Sequence, residues 1–174
     1  MRIGEEIENN LAYRAVADND INLFRKALLE NKYGSIHYIN PDENNSTTLI
    51  LASKLGRSDF VLELLRIGCD VEAKDSYGNT AIYYSVLNNH KNIFDYLIEH
   101  EADIAILNNE NRTLLHSAAI CGNLEITKAL MEKKKIDHNK CDIEGMTAFL
   151  YSCKNGHINV MKYLYMFDYQ YRYC

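Results

Sequence analysis

Four threonines, Thr47, Thr80, Thr113 and Thr147, stand 33, 33 and 34 residues apart. Each opens the same ten-residue frame: TTLILASKLG, TAIYYSVLNN, TLLHSAAICG and TAFLYSCKNG. An apolar residue follows at the second place (Leu49, Ile82, Leu115, Phe149), a small one at the fifth (Ala52, Ser85, Ala118, Ser152), and Gly56, Asn89, Gly122 and Gly156 close the frame. This layout reads as a short helix. Threonine accepts a hydrogen bond from an amide of the first turn that has no partner within the helix. A small side chain lets the helix approach its neighbours where a larger one would clash. Glycine or asparagine takes the left-handed conformation that ends it.

A second helical run follows each frame: FVLELLRIG, IFDYLIEHE, ITKALMEKK and VMKYLYMFD. Its apolar residues recur at i, i+1, i+4 and i+5, one broad helical stripe. A polar turn precedes each threonine, and Gly78 and Gly145 sit two residues ahead of theirs, where a tight turn requires positive φ. Turn, helix, turn, helix at a fixed period near 33 is the pattern of a repeat array. No such unit buries its apolar face alone, so every copy must repeat the same solutions.

The frame resembles the ankyrin repeat, whose pattern runs turn, T-P-L-H-x-A, G-H, apolar pairs, G-A-D. The last element is legible as GCDVEA (Gly68 to Ala73) and EADIAI (Glu101 to Ile106). The resemblance implies an all-α solenoid of helix-turn-helix units joined by short β-hairpin-like loops. We expect one domain over residues 1–174, with units at about 5–37, 42–74, 75–107, 108–141 and 142–174. The first is a degenerate N-terminal cap, with Ala15 and Val16 in the alanine places, Asn19 in the glycine place, and Leu23, Phe24 and Leu28 on the second-helix stripe. A longer connection, KYGSIHYINPDENNS, separates it from the next unit. The proline after the threonine is absent: Thr48, Ala81, Leu114 and Ala148 stand there. Only His116 holds the histidine place, where Ile50, Tyr83 and Leu150 stand elsewhere. Proline at the first helical position preorganises a helix start, so this array is expected to melt below the hyperstable threshold of about 90 °C.

Length and composition fit one ordinary domain. A net charge of −5 disfavours nucleic acid, whose phosphates call for a basic surface. The run Lys133 to Lys135 reads as a solvated loop. The opening MRIGEEIENN is acidic and lacks the apolar core of a signal peptide, and no apolar run is long enough to span a membrane. Five cysteines without a CxxC spacing read as reduced thiols. A cytoplasmic or nuclear location is therefore expected.

No P-loop, GxSxG, HExxH or glycine-rich dinucleotide fingerprint occurs, and neither enzymatic activity nor a cofactor is expected. His138, Cys141, Cys153 and His157 superficially suit zinc. The frame places Cys141 before the last inner helix and His157 after it, and ten helical residues span about 15 Å. Cys69 and Cys153 fall where the family carries alanine and are expected in the core. Cys121 and Cys141 are expected near a groove or turn, with no activating base at hand. His90 and His157 follow the inner helix, a structural place in this family, and His116 is expected to bond within the helix-hairpin frame.

In the family, the hairpin tips and two positions late in the inner helix form a concave, partner-facing surface. Carried over by position, the turns offer Glu43, Asn44 and Ser46; Ser76, Tyr77 and Asn79; Asn109, Glu110 and Arg112; Ile143, Glu144 and Met146. The inner helices offer Lys54 and Leu55, Leu87 and Asn88, Ile120 and Cys121, Lys154 and Asn155. Leu55, Leu87 and Ile120 either form an apolar stripe that binds or pack on their neighbours. Tyr77, Arg112 and Met146 are residue types favoured at the energetic centres of interfaces. The end of the chain carries Tyr163, Tyr165, Phe167 and Tyr169 where a capping unit calls for polar residues. The chain is then a fragment of a longer array, or this end self-associates. The resemblance implies a non-enzymatic protein-interaction module. The alternative is a structural or self-associating segment of a longer ankyrin-repeat protein.

Overall fold

A computed structural model describes residues 11–30, 38–133 and 136–172, without the side chains of 168–172. The opening decapeptide, residues 32–37 of the longer connection, two of the three consecutive lysines and the side chain of Tyr169 lie outside the described residues. The chain divides into two compact units, residues 1–102 and 103–174.

The first unit holds α1 (Leu11–Ala17), α2 (Ile21–Glu30), β1 (Ile39–Asn40), β2 (Ser46–Thr47), α3 (Thr48–Lys54), α4 (Ser58–Arg66), α5 (Ala81–Leu87) and α6 (Lys91–Glu99). The second holds α7 (Leu114–Cys121), α8 (Leu124–Met131), α9 (Ala148–Lys154) and α10 (Ile158–Arg172). This is the all-α class the repeat implies. The only ladder among the described residues pairs Ile39 with Thr47 and Asn40 with Ser46, antiparallel. Within the first unit α3 packs between α1 and α5, and α4 between α2 and α6; within the second α7 packs on α9 and α8 on α10. Within each unit the inner helices thus form one layer and the outer helices another. Among the described residues no helix is long and apolar enough to cross a membrane.

The expected caps form at three of four places. Thr47 accepts from the amide of Ile50 at 3.2 Å, Thr113 from that of His116 at 3.4 Å and Thr147 from that of Leu150 at 3.3 Å. Each such bond contributes about 1 kcal/mol. Thr80 makes no capping bond, and its buried hydroxyl lacks a partner. The helix-ending residues all take positive φ, Asn19 and Asn89 included. So do Gly78 and Gly145 in the turns, and Asn45 and Asn111 in the corresponding places. The small fifth residues Ala52, Ser85, Ala118 and Ser152 are fully buried. The outer-helix stripes bury Phe60, Val61, Leu64 and Leu65; Ile93, Phe94 and Leu97; Ile126, Leu130 and Met131; Val160 and Leu164. Each such side chain contributes roughly 1.5–3 kcal/mol.

Two expectations about the core divide. Cys69 is buried as expected. Cys153 is exposed, because it lies on the open face of the last inner helix, whereas its counterparts Ser53, Val86 and Ala119 are buried.

Candidate functional site

The hairpins are built around a residue that the threonine count passes over. Five places ahead of the threonines stand Asp42, Asp75, Asn108 and Asp142, at the same period. The last three staple their turns alike. Asp75 Oδ1 accepts from the amides of Tyr77 and Asn79, both at 2.9 Å. Asn108 Oδ1 accepts from Glu110 at 3.0 Å and Arg112 at 2.9 Å. Asp142 Oδ1 accepts from Glu144 and Met146, both at 2.9 Å. A short polar side chain closing its own turn in this way fixes the tip and leaves the tip residues pointing outward. At Asp42, which is exposed, a 3-10 turn over Pro41–Glu43 stands instead, opened by the side chain of Asn40.

The second carboxylate oxygen explains why two of these residues are buried acids. Tyr84 donates to Asp75 Oδ2, and Tyr151 to Asp142 Oδ2, each at 2.6 Å and nine residues further on. Where the ninth residue is Ser117, the staple is the neutral Asn108. A carboxylate leaves water at little cost only when its oxygens are hydrogen-bonded or paired, and here a tyrosine hydroxyl satisfies the second one. The tyrosines respond: burial first, and the facing Asp142 second, push Tyr151 up to about 12, and Tyr84 is raised for the same reasons.

Arg112 adds a second device. Its Nε reaches Asp142 Oδ2 at 3.2 Å, and its terminal nitrogen donates to the Tyr151 hydroxyl at 2.8 Å. Glu110 and Glu144 flank it. Burial works against the guanidinium's charge, but Asp142 and Tyr151 overcome it and raise its pKa. Burial alone would likewise raise the Asp142 carboxyl; Tyr151, the Met146 amide and Arg112 hold it at about 2. Successive tips are also joined by backbone bonds, Ser76 N to Asn44 O at 2.8 Å and Ile143 N to Glu110 O at 3.0 Å.

Behind the tips, His116 bonds within the frame as expected. Its Nδ1 accepts from the amide of Thr113 at 3.1 Å, which leaves Nε2–H to donate to Met146 O at 3.0 Å. Only neutral imidazole serves both bonds, and burial lowers its pKa in keeping with that. His90 and His157 cover glycines: a β-carbon added at Gly56 would lie 2.6 Å from His90 Cε1, and one at Gly122 2.6 Å from His157 Cε1. These glycines are required by close approach as well as by φ.

The structure sorts the candidate surface. Leu55 is 41% exposed, Tyr77 53% and Ile143 63%. Lys54, Ser76, Asn88, Asn109, Glu110, Glu144, Lys154 and Asn155 are also exposed, while Leu87, Arg112, Ile120, Cys121 and Met146 are half-buried. Asn79 is a correction: it is buried, and its side chain donates to the Tyr84 hydroxyl at 3.2 Å. Ser46 is buried too, at the base of its hairpin. Asn88 and Asn155 have a structural task, donating to Lys54 O and Ile120 O at 3.0 Å. The Cys121 thiol donates to Ala118 O, and burial raises its pKa; Cys69 is pushed up to about 12 by burial. Neither thiol has the depressed pKa of a nucleophile.

The terminal aromatics are partly accommodated. Lys128 sits over the Tyr163 ring, Phe167 meets His138 edge-on, and Phe149 lies beside Tyr165. Tyr165 and Met166 remain 62% and 69% exposed.

Comparison with known proteins agrees with this architecture. The family model described as Ankyrin repeats (3 copies) matches residues 12–108, 49–142 and 102–172. Over 122 residues the chain is 34% identical to a transient receptor potential cation channel subfamily A member 1 homolog of Caenorhabditis elegans, spanning 70% of this chain but 10% of the channel. Over 157 residues it is 31% identical to ankyrin repeat protein FPV031 of fowlpox virus (strain NVSL), spanning 86% of this chain and 46% of the relative. A second protein of that virus, ankyrin repeat protein FPV223, is 27% identical over 124 residues, spanning 71% of this chain and 86% of the relative. The chain belongs to the ankyrin-repeat family.

Proposed function

We propose that this chain is a non-enzymatic module that binds a protein partner through its hairpin tips and inner-helix ends. Ankyrin repeats are general protein-protein interaction modules, and the family is typically non-enzymatic. One observation supports the reading for this surface: large apolar side chains stand exposed on turns that buried staples hold rigid. Tyr77 projects from the turn closed by Asp75, and Ile143 from the turn closed by Asp142. Exposed apolar groups on a preformed frame bind with little ordering cost, and aromatic anchors carry much of the energy at interfaces. Within each unit exposed polar residues edge the anchor, Ser76 next to Tyr77 in the first and Asn109, Glu110 and Glu144 near Ile143 in the second, as the rim of an interface requires. The free cysteines fit a reducing compartment, and we place the activity in the cytoplasm or nucleus.

The test is affinity capture with the full chain, followed by titration of the purified partner. Tyr77→Asp and Ile143→Asp are expected to weaken binding at least tenfold, about 1.4 kcal/mol, with unchanged helical circular dichroism. Unaltered affinity in both variants would refute the surface assignment. A change in oligomer size in place of lost binding would favour the structural, self-associating role.

A further inference from the structure

Two inner helices, α5 and α9, end alike in an exposed asparagine. Asn88 Nδ2 donates to Lys54 O and Asn155 Nδ2 to Ile120 O, each at 3.0 Å. Each asparagine so ties its helix to the inner helix packed beside it, α3 in the first unit and α7 in the second. The residue that follows takes positive φ in both, +62° at Asn89 and +71° at Gly156. Its amide turns back into the helix in both, Asn89 N to Val86 O at 3.2 Å and Gly156 N to Cys153 O at 3.1 Å. One difference bears on chemistry. Asn88 precedes another asparagine, whereas Asn155 precedes a glycine, the only asparagine–glycine step in the sequence.

An asparagine amide is lost when the backbone nitrogen of the next residue attacks its Cγ. That nitrogen gives up its proton to hydroxide and the N–Cγ bond forms. The Cγ–Nδ2 bond breaks, and ammonia leaves with a proton taken from water. The product is a five-membered succinimide. Water then cleaves one of its two ring C–N bonds to give aspartate or isoaspartate, with no oxidant or reductant involved. A β-carbon on the attacking residue crowds this approach, and glycine has none. In the folded chain both reacting groups are engaged, the Gly156 amide by Cys153 O and the Asn155 side chain by Ile120 O. The reaction therefore waits for the end of α9 to open, and helix ends fray at low cost.

We propose that Asn155 is a site of spontaneous deamidation, and that the reaction loosens the hold of α9 on α7. The aspartate product accepts hydrogen bonds and donates none, so the contact with Ile120 O turns from a bond into a repulsion between acceptors. The isoaspartate product adds one carbon to the main chain ahead of Gly156. It thereby shifts His157, whose Nε2 donates to Ile120 O at 2.9 Å and whose ring covers Gly122. Asn88, with the same bonds but a crowded neighbour, keeps its amide far longer. The proposal does not depend on the reading of the partner surface.

The full chain is aged at physiological temperature in mildly alkaline buffer made with oxygen-18 water, then mapped by peptide chromatography and mass. Asn155 is expected to convert at least tenfold faster than Asn88. Its peptide is expected to split into aspartyl and isoaspartyl forms, each carrying the heavy oxygen. Gly156→Ala slows Asn155 at least tenfold. Asn89→Gly, which suits the left-handed backbone there, speeds Asn88 at least tenfold and carries the test if Gly156→Ala loses its helical signal. In the converted chain, and in Asn155→Asp, hydrogen exchange at the Gly156 and His157 amides is expected to rise several-fold, since these bond back to Cys153 O and Ser152 O. The proposal is overturned if Asn155 keeps its amide or converts no faster than Asn88, if Asn89→Gly leaves Asn88 unchanged, or if the converted chain exchanges like the fresh one.

Discussion

The hairpin ending at Thr80 and the hairpin ending at Thr147 begin from the same chemistry and finish differently. Each folds over an aspartate that accepts two turn amides and a tyrosine hydroxyl. Only the second receives a guanidinium, from Arg112 on the preceding turn. Only the first opens onto a threonine that caps nothing. A repeat fixes the backbone frame, and single substitutions within it decide how much charge and how many bonds each copy contains.

The largest test of that difference removes the acid. Asp142→Ala leaves Tyr151 and two amides without their acceptor and takes from Arg112 its buried carboxylate, and breaking a buried pair from one side costs about 3 kcal/mol or more. Asp75→Ala strands a hydroxyl and two amides but no cation, for about 2 kcal/mol. Denaturant titration of both variants checks the order, which equal losses would break.

Acid is the next lever. The Asp142 carboxyl is held at about 2 against an ordinary 3.8. Its contribution is therefore present above pH 3.8 and lost as pH falls through about 2. From that shift it amounts to about 2 kcal/mol. His116 acts in the same direction at higher pH. Its folded pKa is lowered from 6.5, so the unfolded chain binds the proton more readily, and stability falls as pH drops below 6.5. The first unit has Ile50 and Tyr83 in that place. Hydrogen exchange at pH 7.5 and pH 5 is expected to show protection falling in α7 and holding in α3 and α5. Equal changes in all three would remove His116 from the account.

The smallest effect separates the caps. Thr113→Val forfeits one capping bond, about 1 kcal/mol. Thr80→Val removes a buried hydroxyl that has no partner, so it is expected to be neutral or stabilising. Thermal melts of the pair decide this.

Much of the frame was legible because its determinants are local. Threonine, small residue and left-handed ending act within ten residues, and Asn19 and Asn89 filled the glycine place as read. What escaped depends on contacts between elements. Asp75 and Asp142 look like ordinary turn residues until Tyr84 and Tyr151 are placed against them, although their recurrence with a tyrosine nine residues on was visible in the sequence. Asn79 was assigned outward by its turn position, but its amide turns in to Tyr84. Cys153 was assigned inward by its alanine place, but its helix lies at an exposed end.

Photo-crosslinking tests the proposed surface most directly. A photoreactive residue is placed at Tyr77, at Ile143, or as a control at Leu29, an 85% exposed position on the outer helix α2. The account predicts that a purified partner is captured from Tyr77 and Ile143 and not from Leu29. Capture from Leu29 alone, or equally from all three, would contradict it.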